Sequence, residues 1–228
     1  MEHSPKICIP LQLKTTLEVV DFMQENAGKA DLFEIWLDQI IDLDLRKILE
    51  KKPKPVLCVC KTAKEKGAFQ GNEMEKVEIL KQAMALGADY VDIDYQTTEL
   101  LIADLNQNKK NTKLILSYHN FELTPDLKAL LAIIQSMLKQ KPDLVKIATM
   151  ANSYKDSLII LNLAQALTVA KIPYIAIAMS EYGKISRVLT PLLGSEMMFA
   201  PLENTDQTAS GQIAVEKLKM LWREIGAY

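Results

Sequence analysis

A chain of 228 residues is long enough to bury a sizeable core, and a single domain over residues 1–228 is the expectation. Its 27 basic and 29 acidic side chains leave a net charge of -2 with no long run of one sign, which argues against nucleic acid and against an anionic membrane surface as partner. No stretch approaches the roughly 18 consecutive apolar residues of a membrane span. Cys8, Cys58 and Cys60 sit inside apolar segments at spacings that suit neither zinc nor a disulfide framework, so a soluble protein of a reducing, cytoplasmic compartment is expected.

Short apolar or β-branched runs recur in chain order: KICIPLQ (6–12), LFEIWLD (32–38), PVLCVCK (55–61), YVDIDY (90–95), KLILSYH (113–119), LVKIATM (144–150), YIAIAMS (174–180) and EMMFAPL (196–202). Between them lie segments with the apolar spacing of helices, such as 75–88, 124–140 and 153–170. The helix within 124–140 is expected to carry Pro125 in its first turn. Gly87 stands where one helix should stop, and Pro55, Pro142 and Pro173 stand at or just before strand starts. Eight strand–helix units of roughly 28 residues predict an α/β fold of the (β/α)8 TIM-barrel type, whose members run to about 250 residues. A doubly wound open sheet is the competitor. It normally shows a glycine-rich turn after its first strand, and KICIPLQLKT contains no glycine.

In such a barrel the chemistry gathers at the C-terminal ends of the strands. The polar residues there are Glu34 and Asp38, Lys61 with nearby Glu65, Asp92 and Asp94, His119, Lys146, Ser180 and Glu181, and the loop ENTDQTASGQ (203–212). Lys146 interrupts LVKIATM, where a strand covered on both faces should be apolar. Burial disfavours an ammonium and would leave some free amine to attack a carbonyl as a Schiff-base nucleophile. A structural lysine paired with Asp92, Asp94 or Glu34 is the alternative. His119 comes from the preceding strand, and the only other histidine is His3, so an imidazole beside that amine could move protons on a substrate the lysine has made acidic. Otherwise it is a hydrogen-bonded core residue. Glu65 could fix the tautomer of that ring, or be an exposed loop carboxylate. Arg187 offers a planar fork for a substrate carboxylate, although an arginine in a first helical turn is more often solvated. Thr208 and Gln212 add a hydroxyl and an amide on a loop that reads as a lid or as ordinary surface.

With these residues in view, the sequence resembles the type I 3-dehydroquinate dehydratases, Schiff-base enzymes of the shikimate pathway and of aromatic amino acid biosynthesis. The matching stretches are FEIWLD, VCKTAKEKG, GADYVDID, LILSYHNFELTP, LVKIATM, MSEYGKISRVLTPLLGS and TASGQ, in the family's order. The resemblance implies a lyase in which Lys146 forms an iminium at the C3 carbonyl and His119 acts as general acid and base, with Glu65 orienting the histidine. Arg187 would hold the substrate carboxylate, Glu34 the substrate hydroxyls, and Thr208 and Gln212 the lid. No metal or diffusible cofactor is implied, because the iminium itself is the electron sink. Homodimers are implied as well. The chain departs from the family in carrying Trp36 and Lys61 where arginines are usual, Thr208 and Ser210 where the lid has serine and proline, and Ser180 where a glycine follows the strand-seven methionine. It starts close to strand one, so the N-terminal hairpin of longer members is not expected. Because losing a bidentate arginine is not conservative, two alternatives accompany the reading. One is a Schiff-base lyase or aldolase-like enzyme acting on another keto acid, and the other is a barrel with weakened or lost turnover.

Overall fold

The structure, a computed structural model, describes residues 5–203 and 207–226. His3 and residues 204–206 of the loop after strand eight lie outside them. The strands are β1 Ile7–Leu11, β2 Leu32–Trp36, β3 Val56–Val59, β4 Tyr90–Asp94, β5 Lys113–Asn120, β6 Leu144–Met150, β7 Tyr174–Met179 and β8 Met198–Phe199. Each is followed by a helix: α1 Thr16–Glu25, α2 Leu45–Glu50, α3 Glu73–Ala85, α4 Glu99–Asn108, α5 Leu127–Lys139, α6 Tyr154–Val169, α7 Lys184–Leu189 and α8 Val215–Glu224. All eight strands join one sheet in the order β7-β6-β5-β4-β3-β2-β1-β8. This is the (β/α)8 barrel plan that the alternation of units predicts.

The punctuation residues act as their chemistry requires. Gly87, at φ +92°, follows the end of α3, and the N–H groups of Ala88 and Gly87 return to the carbonyls of Ala83 and Met84, closing the helix in a Schellman motif. Pro55 and Pro173 lack an N–H but still accept, from Phe33 and Val145, the bonds that begin the ladders. Two boundaries differ from the reading above. Helix α5 begins at Leu127, beyond Pro125, because Asp126 caps it by accepting the Ala129 N–H at 2.8 Å, and the residue before a proline avoids helical backbone. The eighth run is a strand only at Met198–Phe199, where it pairs with Ile7 and Cys8.

By contacts, the chain divides into two compact units. One holds Pro10–Leu116 and Gln140–Asp143. In it β2, β3 and β4 run parallel with Glu34, Leu57 and Tyr90 in one row and Trp36, Val59 and Asp92 in the next. Side chains alternate across a strand, so these rows share one face, while Phe33, Ile35, Cys58 and Val91 share the other, apolar face. The second unit holds the chain up to Ile9, Ser117–Lys139, and everything from Leu144 on. Here β6 and β7 pair over six consecutive positions, with Lys146 beside Ile175. Although β7 and β8 stand at opposite ends of the sheet order, the Glu196 N–H, two residues before β8, donates to the Tyr174 carbonyl of β7 at 2.8 Å. Helix α8 is anchored by fully buried Trp222, whose indole N–H donates to the Val188 carbonyl at 2.9 Å.

Candidate active site

In the first of these units the polar face of β2–β4 ends in a cluster of charge. Glu34 and Trp36, two residues apart on β2, point the same way, and the indole Nε1–H donates to Glu34 Oε2 at 2.9 Å. Both side chains are buried. Lys61, two residues past β3, is buried with its Nζ 2.6 Å from Asp92 Oδ1 and 3.1 Å from Glu65 Oε1. Glu65 Oε2 takes the Nζ of Lys76 from α3 at 2.6 Å, and it also accepts from the backbone N–H and the hydroxyl of Thr62 at 3.2 Å. The residues Asp92, Lys61, Glu65 and Lys76 therefore form a chain of alternating charge.

Electrostatics follow from that chain. Burial pushes the Lys61 ammonium towards neutrality, but the carboxylates of Asp92 and Glu65 outweigh it and raise its pKa above the usual lysine value. Burial alone would raise Glu65, yet the flanking Lys61 and Lys76 ammoniums hold it down at about 2. Burial raises Asp94, against a hydrogen bond from the Gln96 N–H. The VCKTAKEKG stretch is shaped to present these groups. Asp38 accepts the backbone N–H groups of Lys61 and Ala68 at 2.8 and 2.9 Å, pinning both ends of the turn. Gly67 cannot be replaced cheaply, since a Cβ there would lie 2.1 Å from the Lys61 carbonyl oxygen.

The second unit carries the other expected residues. Lys146, 5 % exposed, sits on the face of β6 that also bears Ala148 and Met150, and its Nζ lies 4.4 Å from the centroid of the Phe199 ring on β8. This is cation–π distance. His119, half-buried near the end of β5, the neighbouring strand, stacks on Phe121 with ring centroids 5.8 Å apart. The loop after His119 is fastened to β6: the Thr124 hydroxyl reaches the Thr149 hydroxyl and the Met150 carbonyl, each at 2.8 Å. Thr124 thus ties the loop that follows the histidine to the lysine-bearing strand.

Arg187, expected as a fork for a carboxylate with a solvated surface arginine as the alternative, is not solvated. It is 1 % exposed, stitched into place by α7, whose Ser186 and Thr190 hydroxyls bond to β7. Its Nη2 donates to the Ser210 carbonyl at 3.2 Å, and its Nε is buried without a hydrogen-bond partner among the described residues. Burial lowers its pKa to about 10, which still leaves it cationic at neutral pH. Ser210 belongs to the expected lid. There Gln212 Oε1 accepts the Thr208 N–H at 2.8 Å while its Nε2 meets the Thr208 hydroxyl at 3.2 Å, so these two residues fold one compact loop. Gly211, at φ +79°, lets that loop lie against Ser180, whose carbonyl oxygen a Cβ would approach to 2.0 Å. Ser180 itself holds φ +77°, ψ 177°, backbone that glycine adopts easily and serine does not.

Glu34, Trp36, Lys61 and Glu65 are thus brought together in one unit, and Arg187, Thr208 and Gln212 in the other, where Lys146 and His119 lie on adjacent strands. Sequence reading missed Lys76, Phe199 and Thr124. Lys76 had a signal. It shares its spacing with Leu80 and Ala83, placing a lysine on the buried stripe of α3.

By class this is a (β/α)8 barrel with a lysine buried in its sixth strand and, beside its seventh, a buried arginine that meets no carboxylate among the described residues. The chain belongs to the type I 3-dehydroquinase family, whose model matches residues 7–228. It is 33 % identical over 221 residues to a 3-dehydroquinate dehydratase of Dehalococcoides mccartyi, covering 97 % of this chain and 96 % of the relative. It is 34 % identical over 222 residues to that of Methanococcus maripaludis, covering 96 % and 100 %. The crystal structure of the 3-dehydroquinate dehydratase from Geobacillus kaustophilus superposes with a TM-score of 0.90 at 26 % identity, covering 99 % of this chain and 92 % of that one.

Proposed function

We propose that the chain dehydrates 3-dehydroquinate to 3-dehydroshikimate through a Schiff base on Lys146. The observation that carries the reading is an amine buried inside β6, over the Phe199 ring, in a member of this family. The Lys146 amine adds to the C3 ketone and expels water as the iminium forms. His119 takes the C2 proton, whose electrons flow into the iminium to give an enamine. The enamine then expels the C1 hydroxyl, which leaves as water with a proton returned by the imidazole. Hydrolysis of the remaining iminium restores Lys146, so the net change is loss of one water.

The substrate carboxylate fits Arg187, a guanidinium held dry with an unoccupied Nε and no carboxylate of the protein against it among the described residues. Glu34, whose carboxylate the Trp36 indole orients, is suited to accepting hydrogen bonds from the substrate hydroxyls. Family membership does not favour another keto acid as substrate.

Borohydride reduction in the presence of 3-dehydroquinate, followed by intact mass and peptide mapping, tests the mechanism. An adduct on Lys146 together with appearance of the enone chromophore is the expected result. An adduct without elimination, or none at all, sinks the reading.

A further inference from the structure

Lys76 is a buried charge that the proposed chemistry leaves without a task. It lies on the inner stripe of α3 with Val77, Leu80, Ala83 and Met84, where an aliphatic side chain is the default. A buried ion pair kept only for stability is poorly explained, because well-packed apolar residues of similar size usually do as well. Its Nζ is 2.6 Å from Glu65 Oε2, while Lys61 holds the other oxygen of the same carboxylate at 3.1 Å. Lys61 is bound more closely by Asp92, at 2.6 Å.

We propose that Lys76 is a positioning residue for substrate binding: by holding Oε2 of Glu65 it shares that carboxylate between two ammoniums and keeps it from closing fully on Lys61. The charges of Asp92, Lys61, Glu65 and Lys76 then cancel, and an ammonium has three N–H groups, of which Asp92 and Glu65 take two. The third is left for an oxygen of the substrate. Without Lys76 the cluster carries one uncompensated negative charge, and Glu65 settles onto Lys61 as its sole cationic partner. The loss therefore falls on binding of an anionic substrate, and it reaches the substrate only through Glu65. The inference rests on the dehydratase reading above.

The test is steady-state kinetics on the intact protein with 3-dehydroquinate, comparing wild type, Lys76→Met, Lys76→Arg, Glu65→Gln and the Glu65→Gln/Lys76→Met double variant. Lys76→Met is expected to raise KM roughly tenfold or more with kcat within about twofold, and Lys76→Arg to restore most of the loss. In the Glu65→Gln background, which has no carboxylate to share, the same substitution at 76 should change nothing further. That double variant carries no unpaired buried carboxylate at 65, so it keeps the comparison available if Lys76→Met alone does not fold. An unchanged KM in a folded Lys76→Met protein, or an equal loss in both backgrounds, overturns the proposal and leaves the dehydratase reading intact. A wild-type protein that neither turns over nor traps dehydroquinate overturns the dehydratase reading, and the role of Lys76 goes with it.

Discussion

Trp36 donates its indole N–H to the Glu34 carboxylate at 2.9 Å inside the buried end of β2. The pairing uses the two-residue period of a strand, which places both side chains on one face. It gives Glu34 a fixed orientation without adding positive charge. The family's usual arginine would bring a cation to this point; here Trp36 leaves the local anion in place, suited to accepting bonds from neutral hydroxyls.

Replacing Trp36 with phenylalanine keeps the ring and removes the donor. A hydrogen bond to a charged group is worth about 1.5–3 kcal/mol, so the carboxylate loses its orientation and KM for 3-dehydroquinate should rise by roughly one to two orders of magnitude. Steady-state kinetics with a thermal melt in parallel check this. An unchanged KM in a folded protein means that Glu34 needs no support from the indole.

Glu65 sets an acid limit on stability. Its carboxyl is held at about 2, against 4.5 as the ordinary value, because the Lys61 and Lys76 ammoniums outweigh its burial. A pKa depressed on folding contributes stability that is complete above about pH 4.5 and fades as pH falls towards 2. The span corresponds to on the order of 3 kcal/mol. Glu65→Gln should therefore be less stable than wild type at neutral pH, with the gap narrowing steadily below pH 4.5. Denaturant titrations across that range check it, and a gap that is constant with pH refutes the assignment.

The repeating units and their order were legible because a strand covered on both faces and a helix with one apolar stripe leave different periods in the sequence. Lys146 was legible as an exception to that rule. Arg187 was legible as a candidate fork for a carboxylate but not as a buried residue, since nothing in EYGKISRVL distinguishes a helix lying on the sheet from one whose first turn faces water. Its burial follows from Ser186 and Thr190 bonding α7 to β7, contacts between elements that no local period encodes. Lys76 was overlooked for the opposite reason: its spacing put it on the inner face of α3, but its charge argued for the outer one. The partner that reconciles the two, Glu65, lies 11 positions away.

Lys171 offers a stability change remote from the chemistry. It stands at φ +55° just past α6, where the N–H groups of Ile172 and Lys171 return to Leu167 and Thr168 in the closing motif that Gly87 completes for α3. A side chain with a Cβ is strained there, by roughly 1 kcal/mol relative to glycine, and Lys171 is exposed, so little else is lost. Lys171→Gly should raise the melting temperature by about 2–4 °C for a chain of this size, with kinetics unaltered. A fall in melting temperature would mean that the added freedom of the unfolded chain outweighs the relief of strain.

Arg187 should show the opposite bargain between stability and activity. The folded protein holds this guanidinium 1 % exposed, and among the described residues its Nε is unsatisfied while Nη2 donates to the Ser210 carbonyl. Burial lowers its pKa to about 10, a sign that the cation is less comfortable in the fold than in water. With no bound anion, that cation is a cost to stability. Arg187→Met fills similar space without charge, and the free protein should melt at the same temperature or a few degrees higher, at roughly 2–4 °C per kcal/mol relieved. Binding should suffer heavily, because a bidentate, charge-assisted contact to a carboxylate has no substitute in a thioether: kcat/KM should fall by about a hundredfold or more. Melting curves taken with and without 3-dehydroquinate separate the two effects, since only the wild type should gain stability from the ligand. A variant that is destabilised when free and still stabilised by dehydroquinate would assign Arg187 to holding the Ser210 loop rather than to holding the substrate.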